Sequence, residues 1–137
     1  MLSLMMLATK KSIVPVLAFT ITIALAAIMA TAGCQTVPKT IPEDLTPREY
    51  FQRGQEAADN ANYEAALKYY RTFIERHPND AAHLAAAEYW VAFLHHKMGE
   101  TTKAAEKLIA FLDRKEEFQG QAPEWPFVLA KRVLEEM

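Results

Sequence analysis

From residue 46 to residue 113 the apolar positions recur at three- and four-residue intervals, the period of helices with one buried side. Tyr63, Leu67, Tyr70, Phe73 and Ile74 form one such stripe, and Pro78 falls two residues after Arg76, which marks a stop. Small Ala66 lies on this stripe, so a second helix can come close to the backbone there. Upstream, Thr46-Pro47-Arg48-Glu49 combines an N-cap, a proline at the first helical position and a glutamate three residues after the cap. It predicts a helix from Pro47 to about Asn60, with Tyr50, Gly54 and Ala57 on one face. Glycine inside a helix costs ~1 kcal/mol relative to alanine, so Gly54 points to a close helix contact. The connection Asn60-Ala61-Asn62, with Asn62 as the next cap, is short enough to require antiparallel neighbours.

The pattern continues downstream. Asp80 caps a third helix to about Met98, with Gly99 at its C′ position, and Thr101 or Thr102 caps a fourth to about Asp113. Residues 114–122 read as a polar connection. Pro123, Glu124 and Pro126 open a last helix with Phe127, Leu129, Ala130, Val133 and Leu134 on one side and Lys131, Arg132, Glu135 and Glu136 on the other. The expected fold is all-α, a short helical-hairpin array of two antiparallel helix pairs plus a C-terminal capping helix.

A repeat of 38 residues runs through this pattern. Ala66, Tyr70, Phe73 and Ile74 correspond to Ala104, Leu108, Phe111 and Leu112, and Gly54 corresponds to Ala92. In the first unit Tyr50, Gly54, Tyr63, Ala66, Tyr70 and Pro78 resemble the signature of tetratricopeptide (TPR) repeats. The second unit keeps Ala92, Ala104 and Leu108, while Glu88, Thr101 and Glu116 replace the aromatic, tyrosine and proline. The 38-residue spacing and Phe-Ile-Glu-Arg-His-Pro-Asn-Asp resemble the TPRs of bacterial outer-membrane assembly lipoproteins, the BamD-like group, and of Tol-Pal accessory TPR proteins.

The first 33 residues stand apart. Lys10 and Lys11 precede an uncharged run from Ile13 to Ala32, followed by Gly33 and Cys34: a basic patch, an apolar run and small residues, as in a secretory signal. Thr31-Ala32-Gly33-Cys34 resembles the bacterial lipobox, with Thr31 where that family usually has an aliphatic residue. The resemblance implies cleavage before Cys34 and acylation of its sulfur and amino group. The alternative is an uncleaved N-terminal transmembrane anchor in the inner membrane, since about twenty residues at ~1.5 Å each span ~30 Å. The chain divides accordingly into a signal peptide (1–33), a lipidated cysteine with an extended tether (34–45), and a TPR-like helical domain (46–137). By analogy with lipoprotein sorting, Gln35 after the cysteine implies the periplasmic face of the outer membrane, and a palmitate-bearing anchor.

Composition narrows the chemistry. A net charge of -2, with basic residues scattered among acids, gives no footprint for nucleic acid. Ser3 and Ser12 are the only serines, and Cys34 is the one cysteine. Cleavage and acylation would therefore leave neither a serine nor a thiol nucleophile. His95 and His96 are adjacent, so their rings diverge by ~100° on a helix, unlike the i, i+4 pair that shares a zinc. All four histidines, with His77 and His83, read as surface or turn residues, and no catalytic, cofactor or metal site is expected. A non-enzymatic scaffold with no cofactor and no small-molecule substrate follows.

What is left is a surface. In TPR hairpins the first helix of each pair lines the concave face. The resemblance therefore implies a partner-binding groove of Arg48, Phe51, Gln55 and Asp59 from the first unit and Tyr89, Phe93, His96 and Lys97 from the second. Tyr89 and Phe93 could instead be core, packed under the last helix. The expected partner is another envelope protein or a second copy of the chain, with the membrane engaged through the lipid. The function implied is docking in outer-membrane protein assembly; the alternative is a structural spacer or homodimer tied to Tol-Pal and peptidoglycan. Two repeats make a small array, which a dimer, a permanent partner or a well-packed cap with Trp125 would each complete.

Overall fold

A computed structural model describes residues 36–137. The proposed signal, its apolar run and Cys34 lie outside the described residues. Among those described, the periodic segments form five α-helices and no strand: α1 (Pro47–Asp59), α2 (Tyr63–Arg76), α3 (Ala81–Lys97), α4 (Thr101–Asp113) and α5 (Trp125–Glu136). No described helix is long and apolar enough to cross a membrane. Helices α1 and α2 make the first antiparallel pair, α3 and α4 the second, and α5 packs against both members of the second pair.

The helix ends follow from their capping residues. Glu49 N–H donates to the Thr46 hydroxyl (3.3 Å), and the Glu49 carboxylate accepts from Thr46 N–H (2.8 Å), a complete capping box. Asn62 and Asp80 cap α2 and α3 by accepting from the N–H groups of Ala65 and His83 (3.2 Å each). Helix α3 closes through Gly99 at φ +79°: Gly99 N–H donates to the His96 carbonyl (2.9 Å) and Glu100 N–H to that of His95 (3.0 Å). The start of α4 differs from expectation, because its N-cap is Glu100, one residue before Thr101, and the side chain makes no cap bond. That carboxylate is directed instead at His95.

Helix α3 is buried on several sides, through Ala87, Tyr89, Val91, Ala92 and Leu94 among others, because it is a wall shared by two cores. On one side Tyr50, Leu67, Tyr70 and Phe73 cluster with α3 residues Ala87, Val91 and Leu94. On the other, Tyr89 and Ala92 cluster with Leu108, Phe111, Phe127 and Val133. Trp90 packs against both. The reason for Gly54 is direct: a Cβ there would lie 2.7 Å from Cζ of Tyr70. The two helices of the first pair can meet only over a bare backbone.

Two connections differ from expectation. The segment read as a tether is bound from Pro38 onward: Ile41 and Leu45 are buried in the first core, and Lys68 and Arg76 hold its carbonyl groups. The connection after α4 is not uniformly polar either. Its 3-10 turn, Lys115–Phe118, buries Phe118 against Phe111 and Phe127 (centroids 6.1 and 5.9 Å). A single large ring among charged neighbours is enough to dock a loop, and periodicity cannot register it.

Candidate functional site

Helices α1 and α3 are the first members of their pairs, and α5 follows them in the same role. Their rings, linked through the buried Tyr70 of α2, make a continuous series of contacts. Phe51 meets Tyr70 edge-on (5.4 Å), Tyr70 stacks on Trp90 (5.9 Å, 9°), and Trp90 meets Phe93 edge-on (5.8 Å). Tyr89 lies parallel to Phe93 (5.8 Å, 17°) and receives Trp125 edge-on (5.8 Å, 84°). Phe51, Trp90 and Phe93 are half-buried, and Trp125 is 41% exposed. The result is an aromatic strip across α1, α3 and α5, open to solvent at four rings.

The expected groove residues distribute around this strip. Phe51 and Phe93 belong to it. Arg48, Asp59 and Lys97 are exposed, and half-buried Gln55 donates to the Asp59 carboxylate (2.7 Å). Tyr89, whose place the sequence leaves open between groove and core, is core: it is 4% exposed and lies between Phe93, Trp90 and Trp125. His96 is half-buried beside Phe93 (6.2 Å), with Nδ1 buried and without a hydrogen-bond partner. Trp90 and Trp125 are the members that sequence reasoning missed. Spacing could have found Trp90, which is three residues before Phe93 on the same helix.

His95 is a correction. It is 1% exposed, not a surface residue, and ties three helices together. An Arg71 Nη donates to His95 Nε2 (2.9 Å), and because a guanidinium can only donate, the imidazole proton sits on Nδ1 and points to the Glu100 carboxylate. With both nitrogens engaged, the ring serves as a tie between α2, α3 and the start of α4. Burial holds this imidazole below its ordinary range, opposed by the hydrogen bond to Glu100, while Lys103 and Arg71 lower it further. The hydrogen bond from His95 in turn holds Glu100 below the usual carboxylate range.

A group whose proton affinity is lower in the folded state is protonated first in the unfolded chain as pH falls. The contribution of His95 is therefore complete above the ordinary histidine value of 6.5 and is lost below it. Glu100 acts in the same direction, in the more acidic carboxylate window. The thermal midpoint should be lower at about pH 5.5 than at about pH 7.5, and His95→Gln should flatten that difference. If the variant keeps the full pH dependence, another group is responsible.

Other features offer little chemistry. A hollow of about 260 Å³ between α2, α3 and α4 has Ile74, Val91 and Phe111 in its lining and Lys107 and Arg114 at its rim. Arg114 is already bridged to Glu88 (3.1 Å) and Glu117 (2.9 Å). Among the described residues no three His, Cys, Asp or Glu side chains are grouped to hold a metal ion.

No protein-family model matches the chain. No solved structure matches it. A Treponema pallidum (strain Nichols) protein described as uncharacterized is 32% identical over 92 residues, 66% of this chain. The matched segment is only 36% of that protein's length.

Proposed function

We propose that this protein is a membrane-anchored periplasmic scaffold of the TPR kind, acylated at Cys34 and held on the inner face of the outer membrane. There it acts without catalysis as a docking subunit in outer-membrane protein assembly. The observation that carries the reading is the aromatic strip formed by Phe51, Trp90, Phe93 and Trp125 across successive hairpins. Large rings partly open to solvent and flanked by Arg48, Asp59 and Lys97 suit capture of an apolar segment of another protein. The TPR-like residues of the first unit and the lipobox-like ending at Cys34 support the class and the location.

A photocrosslinker at Phe93 in living cells should trap one envelope protein. A blank from a folded, monomeric protein would overturn docking. Cys34→Ser should abolish lipid labelling; unchanged labelling and fractionation would favour the uncleaved inner-membrane anchor.

One observation favours the spacer or homodimer reading. Trp125 of the last helix lies against Tyr89, so the array covers part of its own strip. Sedimentation of the full chain as a dimer, together with crosslinks only between copies, would select that reading.

A further inference from the structure

The chain enters the helical array through a strap. Lys68 Nζ donates to the carbonyls of Pro38 (2.6 Å) and Lys39, while Arg76 donates to those of Pro42 (2.7 Å) and Ile41 (3.2 Å). Arg76 also reaches the Tyr50 hydroxyl (2.8 Å), and Ile41 and Leu45 sink into the first core. The bonds place both ends of the strap: Pro38 beside the middle of α2 and Pro42 beside its C-terminus.

The side of α2 that holds the strap is also defined. Leu67, Arg71 and Ile74 look toward the second hairpin, where Arg71 meets His95 and Ile74 meets Val91 across the hollow. Lys68, Thr72 and Arg76 lie on the side turned away from it, around the hollow they share with Thr40 and Pro42. In a stacked array that is the end where a preceding hairpin would pack. The strap closes this end, and α5 closes the other.

We infer that the strapped end of the array, α1 with α2, is the face turned to the bilayer, and that the array stands on the membrane with α5 outermost. The inference rests on acylation of Cys34 as proposed above, and it turns on reach. Pro38 is four residues from Cys34 (38 − 34), which allows ~14 Å at ~3.5 Å per residue. A free tether to Leu45 would have eleven residues (45 − 34) and ~39 Å. Helix layers packed ~10 Å apart put α5 ~20 Å beyond the first pair. The long leash would let either end touch the lipid; the short one, leaving beside Lys68, admits only the strapped end.

The aromatic strip crosses α1, α3 and α5 in that order, so it climbs along the membrane normal.

The test uses the full-length acylated protein in phospholipid vesicles that carry an energy-transfer acceptor on their headgroups. Donor dyes are placed singly by Glu64→Cys, on the strap side of α2, and by Arg132→Cys, on the outer side of α5; both positions are exposed, and acylated Cys34 leaves no other thiol. Transfer from position 64 should exceed that from position 132 by about threefold, given the ~20 Å between the layers. A Gly/Ser insertion between Gln35 and Thr36, as long as the strap, should bring the two near parity. Equal transfer without the insertion, or more from position 132, would overturn the orientation while leaving the anchor intact. A protein that carries no acyl chain and does not float with the vesicles would overturn both.

Discussion

Replacing Phe73 with alanine should remove about 4 kcal/mol of unfolding free energy, the range for a fully buried aromatic cut back in a core. The magnitude follows from its surroundings. Its ring meets Tyr50 (5.6 Å) and Phe51 (5.4 Å) edge-on, lies parallel to His77 (4.8 Å, 19°) and touches His83 (6.1 Å). One side chain thus joins α1, the end of α2 and the start of α3. Four rings cannot all collapse into the vacated volume without breaking the caps that fix those helix ends. A domain of this size is stable by roughly 5–15 kcal/mol, so the variant should sit near the edge of folding at physiological temperature. Urea denaturation followed by circular dichroism measures it. A loss under about 1 kcal/mol would mean that the ring cluster repacks freely and that its geometry is not stability-bearing.

The second large effect is at Gly54. On helix propensity alone, glycine to alanine in mid-helix should stabilise by ~1 kcal/mol. The structure reverses the sign. A Cβ at Gly54 would meet Tyr70 Cζ at 2.7 Å and Cε2 at 2.9 Å, and that ring is pinned between Phe51 and Trp90. Moving it costs ~1–3 kcal/mol in a packed core, so Gly54→Ala should be net destabilising, and Gly54→Val, with two more methyls and a stiff χ1, worse by a further ~1–2 kcal/mol. Thermal denaturation of the pair gives the order. If Gly54→Ala melts above wild type, Tyr70 has room to retreat and the close crossing of α1 over α2 is not essential.

The contrast between these sites shows what the chain discloses about itself. Helix existence, polarity and most caps were legible, because Thr46, Asn62, Asp80 and Gly99 act through bonds to residues three positions away. Gly54 was legible as a close contact, since no local reason for a glycine exists there. The errors lie where a distant partner decides. Glu100 has no reason in its own neighbourhood to forgo capping α4; it is recruited by an imidazole five residues earlier that only the folded chain buries. The strap read as a polar, extended tether, yet its backbone bends at residues 39–40 and turns at 43–44, because Lys68 and Arg76, about thirty residues away, hold its carbonyls. Of the groove positions that the TPR resemblance implies, Phe51 and Phe93 are half-buried rings of the candidate strip. Tyr89 went to the core because Trp125, in a helix 36 residues on (125 − 89), covers it.

The double burial of α3 bears on how this protein can change over generations. Most helices offer selection a solvent side where drift is free. Between Ala85 and His95 every position is buried or half-buried, so a replacement suited to one core is also tested against the other. Substitutions should accumulate on the outer sides of α2, α4 and α5, while α3 diverges most slowly and mainly through compensated pairs.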